Sequence, residues 1–218
     1  MSVAQGRPRG ADSGGRFPIA VLVSGSGSNL QAIIDTLHGK VAGVEVALVI
    51  SNVAGVLALE RAERAGIPTA VFRVEDYSGR EARDLAMAAA IEEHDVRLVV
   101  LAGYMHMLTP GFLSRFPHRV INLHPALLPS FPGTQAIQDA IQYGVKVTGV
   151  TVHFVDEGMD SGPVIRQQAL EVRDDDTAES LAERIHGVEH VLLPQVVELI
   201  ARGRVTPPVA GSRLVRVE

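Results

Sequence analysis

Cysteine and tryptophan are both absent from the 218 residues, and aromatic residues make up only 4% of them. Without cysteine there is no disulfide, no thiolate nucleophile and no thiolate-bound metal. No apolar run approaches the ~18–20 residues that a membrane span needs. The Gly-, Pro- and Arg-rich stretch 1–16 has no apolar h-region, so it reads as a disordered tail and not as a signal peptide. Positive charge is not in excess: 20 Lys and Arg face 25 Asp and Glu, for a net charge of -5. A basic field that would mark nucleic acid as the main partner is therefore missing. The expectation is a cytoplasmic protein with neither nucleic acid nor membrane as a partner.

Hydrophobic residues, by contrast, make up 46% of the chain. That suffices for one sizeable core. Apolar strand-like runs alternate with helical spacing through the first half. Strands are read at Phe17–Val23, Val44–Ile50, Thr69–Phe72, Leu98–Ala102 and Val120–His124. Helices are read at Asn29–Leu37, Leu57–Ala65 and Arg80–Glu93. Such order predicts an α/β fold, with a mostly parallel central sheet covered by helices on both faces. The second half changes texture. Gln135–Tyr143 reads as a helix, and Thr148–Val155 and Val164–Val172 as strands that form a hairpin of mixed direction. Asp174-Asp175-Asp176-Thr177 opens a long last helix to about Ala201, with acids at the end the dipole favours. One domain over 17–204 is expected, with 205–218 as an irregular tail.

Three places carry candidate chemistry. In the run Val120–His124, Asn122 and His124 share a strand face and are stopped by Pro125. An amide can hold an oxyanion, and an imidazole can move a proton near pH 7. The loop Ser24-Gly25-Ser26-Gly27-Ser28 between a strand and a helix has the geometry of an anion site. Backbone N–H groups of Gly27, Ser28 and Asn29 would face one phosphate. No Gly-Lys-Ser/Thr follows, so it is no Walker A, and Leu30 stands where a dinucleotide loop needs its third glycine. Finally, the acidic loop 156–162 offers Asp156 and Asp160 as carboxylate partners for the imidazole, and spacing does not choose between them. His186 and His190 lie on one helix face without an accompanying HExxH-type acid, which favours a solvated face over a metal site. With no cysteine and no G-x-S-x-G elbow, direct transfer without a covalent enzyme intermediate is favoured.

Together these segments resemble the phosphoribosylglycinamide formyltransferase family. The resemblance is carried by Ser24-Gly25-Ser26-Gly27-Ser28-Asn29-Leu30, Ala102-Gly103-Tyr104-Met105, Asn122-Leu123-His124-Pro125, Thr148–Val155 and Asp160-Ser161-Gly162-Pro163. It implies a Rossmann-like formyltransferase fold and 10-formyltetrahydrofolate as co-substrate, with no metal required. Asn122, His124 and Asp160 match the catalytic amide, imidazole and carboxylate. Gly27, Ser28, Asn29 and Glu189 match the phosphoribosyl site. Arg80, Met105, His106, Met107, Leu108, Asn122, Val155 and Asp156 match the folate site. His106 departs from the family pattern, where an arginine is common. The reaction implied is formyl transfer to glycinamide ribonucleotide in purine synthesis. The rival is a 10-formyltetrahydrofolate hydrolase with the same Asn–His–Asp set. A homodimer stays open.

Overall fold

The computed structural model describes residues 15–218, so almost all of the expected 1–16 tail lies outside the described residues. A seven-stranded sheet forms the centre, in the order β3-β2-β1-β4-β5-β6-β7. Its strands are β1 Phe17–Val23, β2 Val44–Ser51, β3 Thr69–Val71, β4 Leu98–Leu101, β5 Val120–His124, β6 Val147–Phe154 and β7 Val164–Glu171. The first five are joined in parallel. β6 runs antiparallel to β5, and β7 antiparallel to β6. The sheet is therefore mostly parallel with a mixed C-terminal edge, as the change of texture in the sequence implies.

Strand alternation divides the core into two layers. Ile19, Val21 and Val23 of β1 pack on one face. That layer is closed by α1 (Ser28–Thr36), α2 (Leu57–Arg64), α5 (Ala136–Tyr143) and α6 (Ala178–Ala201). Ala20 and Leu22 face the other way, toward α3 (Arg80–Glu92) and α4 (Pro110–Leu113). Parallel strands buried on both faces read as continuous apolar runs, which is why they were legible.

Four elements are not legible in the sequence. A single 3₁₀ turn covers Val74–Asp76. The four-residue α4 starts with Pro at its first turn and ends before any apolar period can build. The stretch after 204, expected to be irregular, contains β8 (Val205–Thr206) paired antiparallel with β9 (Arg216–Val217). Two-residue strands are too short to show a period of two. Thr177 caps α6 in a reciprocal capping box with Ser180, which explains its sharp start after the three aspartates. Among the described residues no helix is long and apolar enough to cross a membrane.

Candidate active site

Strand order reverses between β1 and β4, because β1 connects outward to β2 while β4 leads on to β5. In open α/β sheets the crevice at the carboxyl ends beside such a reversal is the natural place for a ligand. The Gly-rich loop leaves β1 there, residues 102–109 leave β4, and β5 ends at His124.

The Gly-rich loop turns on Gly27, which is left-handed at φ 70° and forms the N-cap of α1. A Cβ there would also stand 2.6 Å from the Cβ of Ala58. Only glycine meets both demands. The turn places Ser28 and Asn29 in the first turn of α1, where backbone N–H groups are free for an anion. Asn29 Nδ2 donates to Glu189 Oε2 at 2.9 Å, across the α1–α6 contact. Glu189 is buried, and its Oε2 is also 2.9 Å from His186 Nδ1. Glu189 holds the half-exposed His186 above its usual pKa. The His186–His190 pair expected on a solvated face thus has one member tied to Glu189, with the two rings stacked.

Asn122 and His124 share a face of β5, opposite Ile121 and Leu123. His124 is 3% exposed. Its Nε2 lies 2.8 Å from the Phe131 carbonyl, and its Nδ1 3.4 Å from Asp160 Oδ2. Both ring nitrogens face acceptor oxygens, and a doubly protonated ring donates to both. Asp160 Oδ2 also accepts from the Gly133 N–H at 2.8 Å. Asn122 Nδ2 sits 3.3 Å from both Asp160 Oδ1 and His153 Nε2. Of the two acids that spacing left open, Asp160 lies beside the imidazole. Asp156 instead accepts from Gly158 N–H and Ser161 Oγ within its own loop.

Backbone conformation aims these groups. Asp160 is left-handed at φ 49° and Phe131 at φ 52°, conformations uncommon outside glycine. Gly162 lets the loop return against β6, since a Cβ there would meet the Phe154 carbonyl at 1.7 Å. His153 is buried and hydrogen-bonded within β6, and it also pairs across the ladder with Asn122. Cross-strand partners share a face, so the β5–β6 register is the signal that would have found it. Burial holds the His153 pKa down. Its Nδ1 lies 2.8 Å from the Phe154 carbonyl, so the neutral ring offers a lone pair at Nε2 to the Asn122 amide.

The remaining expected residues lie at the start of α3 and on the segments that leave β4 and β6. Arg80 Nη2 donates to the Met107 carbonyl at 2.9 Å. Met105 and Met107 are exposed, while Leu108 is buried in the core layer of α3. His106 turns inward, toward Arg83 and Asn52. Val155 donates its N–H to the Val120 carbonyl and packs on the same layer. Among the described residues no group of three or more His, Asp or Glu could hold a metal ion.

An amide, an imidazole and a carboxylate converging at the strand ends of an open α/β sheet are an arrangement suited to acyl transfer. The family model for formyl transferases matches residues 17–197, and the chain belongs to that family. A phosphoribosylglycinamide formyltransferase of Mycobacterium tuberculosis is 45% identical over 188 residues, 86% of each chain. Crystals of glycinamide ribonucleotide transformylase 1 from Symbiobacterium toebii show a chain with a TM-score of 0.88 and 45% identity, covering 93% of this chain and 94% of that one. The fold is thus the Rossmann-like formyltransferase fold. A trifunctional purine biosynthetic protein of Chironomus tentans is 44% identical over 189 residues, but this chain spans only 14% of its length.

Proposed function

We propose that this protein transfers the formyl group of 10-formyltetrahydrofolate to the amine of N1-(5-phospho-D-ribosyl)glycinamide, a step of purine synthesis. The observation that carries the reading is the meeting of Asn122, His124 and Asp160 at the same end of the sheet as an anion-ready helix start at Gly27–Asn29. The relatives named for this reaction, matched over most of their length, support it.

In this reading the phosphate of the acceptor lies on the N–H groups of Gly27, Ser28 and Asn29, and Glu189 receives ribose hydroxyls. Arg80 and the Met105–Leu108 segment, with Val155 and Asp156, flank the folate. The acceptor nitrogen attacks the formyl carbon, and the carbonyl electron pair moves onto oxygen. Asn122 donates to that oxyanion, a contribution typically worth ~10²–10³ in rate. To do so its Nδ2 exchanges a long 3.3 Å contact with Asp160 or His153 for the substrate. The attacking nitrogen then loses a proton, the bond from formyl carbon to N10 breaks, and N10 gains a proton. His124, placed between Asp160 and the Phe131 carbonyl, assists the oxyanion and helps deliver that proton. Two substrates held side by side supply much of the remaining acceleration.

The test is release of tetrahydrofolate by the purified protein with and without the acceptor. Release that depends on glycinamide ribonucleotide is the expected result. Equal release without it would make the protein a hydrolase, and none would reduce it to a binding module.

A further inference from the structure

Behind the Met105–Leu108 segment lies a polar cluster that formyl transfer as written above does not use. Arg83 and Asp84 are consecutive residues of α3, and both are 0% exposed. A charge pair in a core is costly unless its protons and lone pairs are met. Here they are. Arg83 Nε and Nη2 donate to Asp84 Oδ1 at 2.8 and 2.6 Å. Asp84 Oδ2 accepts from the Thr109 N–H at 2.8 Å. Arg83 Nη1 remains, and it points at His106 Nδ1 from 2.6 Å.

That last contact gives direction to a longer chain. A guanidinium only donates, so His106 Nδ1 accepts and the neutral ring carries its proton on Nε2. Burial first, then the charges of Arg83 and Arg80, hold the His106 pKa below its usual 6.5, against the opposing pull of Asp84. The neutral ring is therefore the form at pH 7. Its Nε2 lies 3.3 Å from the side-chain amide of Asn52. With Asn52 Nδ2 on that side, two donors would face each other. In that orientation Ser24 Oγ donates to Asn52 Oδ1 at 2.6 Å; turning the amide over gives Oδ1 to His106 and Nδ2 to Ser24. Ser24 Oγ accepts in turn from the Met105 N–H at 2.9 Å.

We propose that Arg83, His106 and Asn52 form a one-way hydrogen-bond relay that locks the start of the Gly-rich loop to the Met105–Leu108 segment and so positions the formyl-donor site. It rests on the assignment of that segment to the folate. The relay ends where the backbone is held at every second residue: Met105 N–H by Ser24, Met107 C=O by Arg80 and Thr109 N–H by Asp84. Tethers of that spacing fix the strip, with the exposed Met105 and Met107 side chains left for a ligand. None of Arg83, His106 or Asn52 is required to touch a reacting atom, so these are positioning residues.

The test begins with ¹⁵N-histidine NMR on the whole protein. The relay requires the Nε2–H tautomer of His106 at pH 7, and its titration should move up toward 6.5 in Arg83→Met. An Nδ1–H ring or an imidazolium at pH 7 in the unaltered protein overturns the relay, whatever the enzyme's activity. Steady-state kinetics supply the second reading. Arg83→Met and Asn52→Ala should each raise KM for 10-formyltetrahydrofolate about tenfold, the size of one lost hydrogen bond. kcat should fall less than about threefold, because the reacting groups stay in place. Asn52→Ala leaves the buried charge pair intact, so it reports even if Arg83→Met fails to fold. An unchanged donor KM in Asn52→Ala overturns the positioning role. A wild-type protein that transfers no formyl group defeats the functional reading instead, while the tautomer still decides the relay.

Discussion

Two polar clusters of the molecule are built on opposite terms. Arg83 and Asp84 are wholly buried, and their contacts are 2.6–2.8 Å. Around Asn122 and Asp160 the Asp160 side chain keeps 14% exposure, and the contacts to Asn122 and His124 are 3.3–3.4 Å. Short, saturated contacts in a core leave nothing to trade. Long contacts at a strand end can be exchanged for those of a substrate at little loss. The first cluster therefore shapes the backbone, and the second remains available for chemistry. Substitutions should separate them: the open cluster should lose rate and keep its fold, and the closed one should lose stability or donor binding first.

The largest effect is expected at the open cluster. His124→Ala should lower kcat by ~10²–10⁴, the usual worth of a positioned proton donor. KM for the phosphorylated acceptor should change little, because the Gly27–Asn29 turn is untouched. Asn122→Ala should cost ~10²–10³ in kcat, the worth of one oxyanion donor. Full turnover in His124→Ala would remove the distinction between the clusters.

Asp84→Ala comes next and should act through the fold. It strands the Arg83 guanidinium in the core and frees the Thr109 N–H. Breaking a buried pair from one side typically costs ~3–5 kcal/mol, readable as a lower urea midpoint with an unchanged slope. If Asp84→Ala unfolded no more easily than the parent, the closed cluster would not be structural. Gly27→Ala should be milder in kcat and act on acceptor KM. A left-handed turn costs a β-carbon roughly 1–2 kcal/mol, and the contact with Ala58 pushes the start of α1 aside.

The same contrast explains what the sequence disclosed. Asn122 and His124 stood out because polar residues on one face of an apolar strand conflict with burial, and such conflicts mark function. The Gly27 loop stood out because glycine next to a helix start has few bland reasons to exist. The fold was legible for the same cause: β1, β2, β4 and β5 are apolar runs that only a two-sided sheet would bury. Arg83 and Asp84 did not stand out. Within an α3 rich in charge and alanine, such a pair reads as a solvated face, and only the packing of residues 104–109 over the helix makes it interior. His106 was legible as a departure from a family pattern, yet its partners Asn52 and Arg83 are far from it in sequence. Choosing Asp160 over Asp156 needed a resemblance at first, because both are ordinary loop acids until the turn at Asp160 is seen.

The smallest expected effect is a pH slope in stability, and its sign comes from the histidines of both clusters. His106 and His153 have folded pKa values below the 6.5 of the free side chain, mainly through burial. Between those values the unfolded chain binds more protons than the folded one, so stability rises with pH across that window. Their contribution is complete above pH 6.5 and is lost as the pH falls toward the folded values. His186 has the opposite sign: its pKa is raised by Glu189, so its contribution is complete below pH 6.5 and is lost as the pH climbs through the raised value. Half-exposure screens that pair, so it should count for less than the two lowered histidines. Urea midpoints measured from pH 7.5 down to pH 5 should therefore decline on the acid side. His153→Gln, which cannot take up a proton, should flatten that decline without flattening the part due to His106. A decline unaffected by His153→Gln would remove His153 as a source of the acid sensitivity.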